Sequence, residues 1–225
     1  MHAAEASRRI APQQTHDQKM QMTEGLNISV ETYTGKNARH IVIPDGVTKI
    51  GLKAFFCHPE IESIAIPEGV VSIEDDAFNG CTGLAGVILP STLAELGKRA
   101  FRSCRALTRI HIPAALEVIP DQAFSLCTFL EYVTGGKNLY GIGEEAFSGC
   151  QSMKVCEPLN YAVDLGIHAF SWCNELAEPS FDRHFVYVGD ECFRHCVAFT
   201  KCEEPRDVEY LGSRIFTSCN ASSIL

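Results

Sequence analysis

Ala100-Phe101-Arg102-Ser103-Cys104 returns 23 residues later as Ala123-Phe124-Ser125-Leu126-Cys127, and after 23 more as Ala146-Phe147-Ser148-Gly149-Cys150. Followed in both directions, the phenylalanine falls at Phe55, Phe78, Phe101, Phe124, Phe147, Phe170, Phe193 and Phe216, without one insertion or deletion. A fixed period of this length identifies a solenoid, in which each period is one turn of a continuous coil stacked on its neighbours. Such a coil offers an extended face to partners and not an enclosed reaction chamber.

Other positions keep the same period. The residue before the phenylalanine is Ala in six units (Ala54, Ala77, Ala100, Ala123, Ala146, Ala169), with Cys192 and Ile215 in the last two. Three residues after it stands Cys81, Cys104, Cys127, Cys150, Cys173, Cys196 or Cys219; the first unit has His58 there, beside Cys57. Four residues before the Ala position lies an aliphatic residue in every unit, from Ile50 and Ile73 to Val188 and Leu211. A residue type held at one angular position of every coil meets one environment, and for Ala, Phe, Cys and Ile that is the interior.

The strand signal lies between the cysteine and the next Ala-Phe. Leu107-Thr108-Arg109-Ile110-His111-Ile112-Pro113 reads L-x-x-I-x-I-P, and Ile61, Ile64, Ile66 and Pro67, then Leu84, Val87, Leu89 and Pro90, fill the same slots in other coils. Alternation with β-branched residues, ended by Pro, predicts a short half-buried strand. A second apolar pair, such as Val70-x-x-Ile73, predicts a shorter strand on the return side. The Ala-Phe-x-x-Cys stretch is too short for a helix and predicts a 3₁₀ or single helical turn. Pro158 and Pro179 take strand slots and Gly135-Gly136 replaces the Ile-Pro step, so the sheet is expected to be most regular in the first four coils and interrupted afterwards, with irregular backbone near 156–159 and 178–182.

L-x-x-I-x-I-P, then V-x-x-I-G, then A-F-x-x-C resembles the BspA-type leucine-rich repeat, from about Leu26 to the last residue. Ile28-Ser29-Val30-Glu31-Thr32-Tyr33-Thr34-Gly35 is similar to the lead-in of that family. The resemblance implies an α/β repeat solenoid, a leucine-rich-repeat-like curved coil with a stacked parallel β-sheet, and a binding or attachment role. Bacterial members are typically surface-exposed, and large families occur in protists. Pro, in place of a buried Asn after the strand, departs from the ordinary leucine-rich repeat.

The expected organisation is a disordered tail over residues 1–25 and a solenoid over 26–225, with a lead-in cap at 26–40 and about eight 23-residue units. A chain of 225 residues, 46% apolar, buries a good core. Its net charge of −9 argues against nucleic acid and against an anionic membrane surface. No secretory signal or membrane-spanning run is visible, which places the chain in the cytoplasm; a start that is truncated or misassigned would instead return the extracellular or cell-surface habit of the family.

Eleven cysteines raise the question of disulfides or metal. Seven form the repeat column, and Cys156, Cys192 and Cys202 take apolar slots of other coils, as small buried cysteines do. The best zinc candidate, Cys192-x-x-His195-Cys196 with Cys202, sends its ligands inward at different angles, so no metal site is expected. Gly141-Ile142-Gly143 lacks the third glycine of a dinucleotide loop, and Gly97-Lys98 is followed by Arg99 where a phosphate loop needs Ser or Thr. Neither a cofactor nor catalysis is expected.

Function then rests on the outward side chains of the strands. One column runs His40, Ser63, Gly86, Arg109, Tyr132, Val155, Glu178, Lys201, and the next runs Val42, Ala65, Ile88, His111, Thr134, Glu157, Ser180, Glu203. Inward columns repeat and these do not. Ile88, Arg109, His111 and Tyr132, extended by Thr134 and Glu157, combine aliphatic, aromatic and charged groups in adjacent coils, as interface hot spots do. The reading is a non-catalytic module that binds a protein partner on the strand face, taken to be concave. The alternative is an adhesive or self-associating surface protein. Leu225 falls in a strand slot, so the last coil is expected to be open and to offer a route to self-association.

Overall fold

The structure is a computed structural model that describes residues 38–220 and the backbone of Asn27–Ile28. The tail at 1–25, most of the lead-in cap and the strand slot at Leu225 lie outside the described residues. The chain runs through β1 (Asn27–Ile28), β2 (His40–Val42), β3 (Lys49–Ile50), β4 (Ser63–Ala65), β5 (Ser72–Ile73), β6 (Gly86–Ile88), β7 (Glu95–Leu96) and β8 (Arg109–Ile112). It continues through β9 (Val118–Ile119), β10 (Tyr132–Gly135), β11 (Gly141–Ile142), β12 (Val155–Cys156), β13 (Asp164–Leu165), β14 (Phe185–Val188) and β15 (Val208–Leu211).

All pairing is parallel, between strands one coil apart. Tyr132 lies opposite Arg109 and Val155, and Ile64 opposite Ile41 and Val87. The first-strand ladders are β2-β4-β6 and β8-β10-β12, and the return-side ladders are β1-β3-β5-β7 and β9-β11-β13-β14-β15. Alternation sets the facing: in β8, Ile110 and Ile112 are buried while Arg109 and His111 are exposed. The buried set forms one continuous core along the coil.

The Ala-Phe-x-x-Cys segments correct the α/β expectation. They are hydrogen-bonded turns without helix, and among the described residues the 3₁₀ helix at Glu157–Asn160 is the one helical element. The reason is backbone sign. The residue before the Ala position and the second residue after the Phe both adopt positive φ in every coil, as at Gln122 (57°) and Leu126 (62°). A helix requires consecutive right-handed residues and cannot pass through such positions.

These turns form a third ladder. Gln122 N–H donates to Glu144 O, Phe124 N–H to Ala146 O and Leu126 N–H to Ser148 O, each at 2.8 Å. Three such bonds, 2.7–3.1 Å long, span every interface from Lys53–Asp75 to His195–Thr217. The intervening residues bond locally, as Ala123 N–H does to Pro120 O. Inside the ladder the phenylalanines stack ring on ring, with centroids 5.0–5.5 Å apart from Phe55 to Phe193 and 5.9 Å at the last step to Phe216. The cysteine column has a polar duty as well as a packing one. Cys127 Sγ–H donates to Phe101 O at 3.1 Å, and each column cysteine does the same to the phenylalanine of the coil before. All cysteines are free thiols.

Irregularity falls at three places. As the prolines predict, Glu157–Asn160 leaves the strand path, and residues 178–182 form no strand. The third place, between β6–β7 and β8–β9, was not expected, since neither ladder crosses it. Gly97, Gly143, Gly166, Gly189 and Gly212 each donate N–H to the return strand of the preceding coil at 2.7–2.8 Å. Pro120 occupies that slot at the break and has no N–H to give. On the first-strand side Gly86, which brings no side chain to the strand, sits at the same boundary. The turn ladder and the Phe101–Phe124 stack cross it without interruption.

Candidate interaction face

The first-strand face places the outward residues as the repeat phase requires. Arg109 and Tyr132 are register partners, as are His111 and Thr134. Ile88 stands in register with Ala65 and Val42 on the preceding ladder, and β6 remains next to β8 across the break. Ile88 is 80% exposed, the most open large apolar side chain of the described residues, and Tyr132 is 39% exposed. His111 Nδ1 lies 3.0 Å from Thr134 Oγ1, and Lys154 Nζ lies 6.0 Å from the Tyr132 ring centroid. These contacts hold the aromatic and imidazole groups in place without covering them.

Glu157 behaves differently. It sits in the 3₁₀ helix, and its carboxylate accepts the Gly135 N–H at 2.7 Å, which ties down the end of β10. It belongs to the edge of the face as a strand-end cap. Phe129, 61% exposed, was missed by the column reading. The signal was present: other coils place Glu60, Gly83, Ala106, Ser152 and Glu175 at this phase. A phenylalanine outside the core column was the anomaly.

A second feature invisible to the earlier columns is a charge ladder before the Ala position. Asp76 accepts Arg99 Nε and Nη2 at 2.9 and 3.0 Å, and Gln122 donates to Glu145 at 3.1 Å. Glu191 pairs with Arg214 at 2.7 Å and with Arg194 at 2.8 Å. The Arg99 guanidinium holds the Asp76 carboxyl below the usual carboxylate range against the opposing effect of burial. These pairs lock coil to coil.

Past β12, where the strands fail, residues 178–183 and 201–207 enclose a groove of about 480 Å³. Two side chains replace the missing ladder there. Burial pushes the Glu178 carboxyl up, but it accepts the N–H groups of Lys201, Thr200 and Cys202 at 3.0, 3.0 and 2.6 Å, which carries it below the ordinary range. Arg183 donates to Leu159 O and Ala162 O at 2.6 and 2.5 Å and lies 4.2 Å from the Phe185 ring centroid. Both groups are spent on backbone.

The zinc candidate resolves into packing. Cys192 and Cys196 are fully buried, Cys202 nearly so, and His195 stacks on Trp172 with centroids 3.7 Å apart. Among the described residues no three His, Cys, Asp or Glu side chains converge as metal ligands. Burial pushes the Cys127 thiol up to about 12, which keeps it protonated and poor as a nucleophile. No helix among the described residues is long and apolar enough to cross a membrane.

Solved structures share this coil. A leucine-rich repeat protein from T. pallidum is similar at 26% identity and a TM-score of 0.50, over 64% of this chain and 80% of that one. A leucine-rich repeat protein from Eubacterium ventriosum is similar at 18% identity and a TM-score of 0.55 over 85% of this chain, which matches 45% of the length of that one. No sequence among the curated proteins matches it. The BspA type leucine rich repeat region matches residues 26–154 and 163–225 in 6 copies and is interrupted where the 3₁₀ helix leaves the strand path. The repeat phase, the parallel ladders and this match over most of the chain agree: the chain belongs to the BspA-type leucine-rich repeat family.

Proposed function

We propose that this protein is a non-catalytic interaction module whose first-strand face contacts a protein partner. One observation carries the reading. Core columns repeat coil after coil, yet the outward columns of the same strands vary freely and set Ile88, Arg109, His111 and Tyr132 on adjacent coils. Arg, Tyr and exposed apolar groups on a rigid scaffold are the composition of interface hot spots. Rigidity matters because an ordered sheet loses little conformational freedom on binding. Solenoid repeats generally present partners with such an extended surface.

The test is affinity capture with the full chain and with an Ile88→Asp/Tyr132→Ala variant as bait, followed by mass spectrometry. Both positions are outward, so the variant keeps its fold. The expected result is a partner held by the unaltered chain and lost from the variant. A partner set unchanged by the two substitutions would place the contact elsewhere on the coil.

A further inference from the structure

The strand-face reading leaves the chemistry of the partner open, and three arginines between the Phe101 turn and β8 narrow it. Arg102, Arg105 and Arg109 have no ion-pair partner among the described residues, and the Nε of Arg102 is buried without a hydrogen-bond partner. Several cations elsewhere are matched, Lys49 with Glu74, Lys98 with Asp121, Arg99 with Asp76 and Lys154 with Glu131, while Lys53, Lys137, Lys201 and Arg206, which form no ion pair among the described residues either, stand in other coils. The contrast is sharpest against composition. Acidic residues outnumber Lys and Arg by 28 to 19 over the chain, yet residues 98–120 hold a single acid, Glu117, just before β9 on the return side.

Two acids of the following coils that lie on or beside the strand face are already engaged. Glu131 pairs with Lys154 at 3.3 Å, and Glu157 accepts the Gly135 N–H. On β8 the outward Arg109 is therefore an unpaired positive charge on a molecule whose net charge is negative, in register with the exposed Tyr132 and on the strand next to that of Ile88. Arg105 stands in the turn that leads into β8, one position before the phase that the exposed Phe129 takes in the next coil. Guanidinium groups bind carboxylates through two parallel N–H donors, which fixes orientation as well as sign.

We infer that the strand face at β8 and β10, with the turn that leads into β8, docks an extended acidic peptide segment of a protein partner, with carboxylates on Arg105 and Arg109 and an apolar side chain against Tyr132 and Phe129. The inference rests on the strand-face reading and adds the sign and shape of the partner. Three arginines on a chain of net charge −9 are too few for the phosphate-rich track that nucleic acid requires, so peptide is favoured. Opposite charge across the contact sets the association rate and excludes basic partners.

The test selects short random peptides displayed on phage against the immobilised full chain. Recovered sequences are then assayed against three variants: Arg105→Glu/Arg109→Glu, its milder form Arg105→Gln/Arg109→Gln, and Ile88→Asp/Tyr132→Ala. The expected pool is rich in Asp and Glu with interspersed Leu or aromatic residues. Its affinity should fall roughly tenfold or more in the charge-reversed variant, the scale of a lost charge-assisted contact, and less in the glutamine form. A neutral or basic pool, an empty selection, or binding that survives charge reversal overturns the inference. So does a single-stranded oligonucleotide that binds with the same arginine dependence. Non-acidic peptides lost from Ile88→Asp/Tyr132→Ala would sink the acidic partner and keep the strand face; peptides indifferent to all three variants would sink both.

Discussion

Replacing Phe124 by Ala tests whether the phenylalanine column is the structural spine. Phe124 is fully buried, with Phe101 on one face at 5.5 Å and Phe147 on the other at 5.4 Å, the ring planes within 2° and 6° of parallel. An aromatic side chain buries roughly 150 Å² or more, which at about 25 cal/mol/Å² is about 4 kcal/mol. The two stacked faces contribute about 0.5–1.5 kcal/mol each beyond that area, and the alanine keeps part of the first amount. Phe124→Ala is therefore expected to cost about 4–5 kcal/mol, in the upper part of the range for buried phenylalanine. The effect should also be divided in space. Strand pairing is already absent one coil earlier, at the Pro120 boundary, so loss of the ring leaves the turn ladder as the main link between the two ends. The chain has one tryptophan, Trp172, in the later half, so its fluorescence reports that half while circular dichroism reports the whole. In the unaltered chain the two urea transitions should coincide, and in the variant they should separate. A cost below about 1 kcal/mol, typical of surface substitutions, with coincident transitions would refute the spine.

Four further outcomes are expected. Arg99→Ala should lower stability by about 1–2 kcal/mol in urea titration, since it strands the buried Asp76 while Arg99 itself is partly exposed and screened. The folded Asp76 and Glu178 carboxyls lie below their unfolded values, so their contribution is present above about pH 4 and is lost as pH falls through the folded values; an Asp76→Asn chain should show a flatter decline of the urea midpoint on acidification. Glu178→Ala leaves three N–H groups without their acceptor and should cost about 1–3 kcal/mol, seen as earlier loss of amide protection at Thr200, Lys201 and Cys202 than at Arg109–Ile112. Alkylation at neutral pH should mark the exposed Cys57 within the folded chain and reach Cys104 and Cys127 only on unfolding, as mass mapping would show.

The parts of this molecule legible in its sequence are those where one residue type is forced in every coil. Phe, Ala, Cys and the strand isoleucines face the same cavity each time, so their period alone gives the coil, the parallel register and the outward columns that pair Arg109 with Tyr132. The turn ladder was not legible, because its bonds come from backbone whose sign depends little on side chain. Lys53, Asp76, Gln122 and His168 share a positive φ and no chemistry. The charge ladder escaped for the opposite reason. Its positions change charge from coil to coil without a fixed order, so the regularity lies in pairs such as Asp76–Arg99 and Glu191–Arg214, and no single column displays it. The break in the sheets needed a third kind of inference. Pro120 looks harmless until its slot is known to supply an N–H in the neighbouring coils.

That break gives the candidate face its character. A coil fully zipped by its sheets would hold every outward side chain at one fixed spacing. Here the two ladders part between β6 and β8, between Ile88 and Arg109, while the phenylalanine stack and turn ladder keep the coils together on the opposite side. Backbone groups freed at that edge lie beside the most exposed apolar residue and the coil with the unpaired arginines. Restoring the N–H with Pro120→Gly separates the two roles of the boundary. If the break is a consequence of the missing donor, the variant should gain amide protection around Leu96 and Ile119 at little change in overall stability, since the bond gained, about 1 kcal/mol, offsets the added backbone freedom of glycine. If protection there is unchanged, the boundary is set by packing around Gly86, and the strand face owes its opening to that residue.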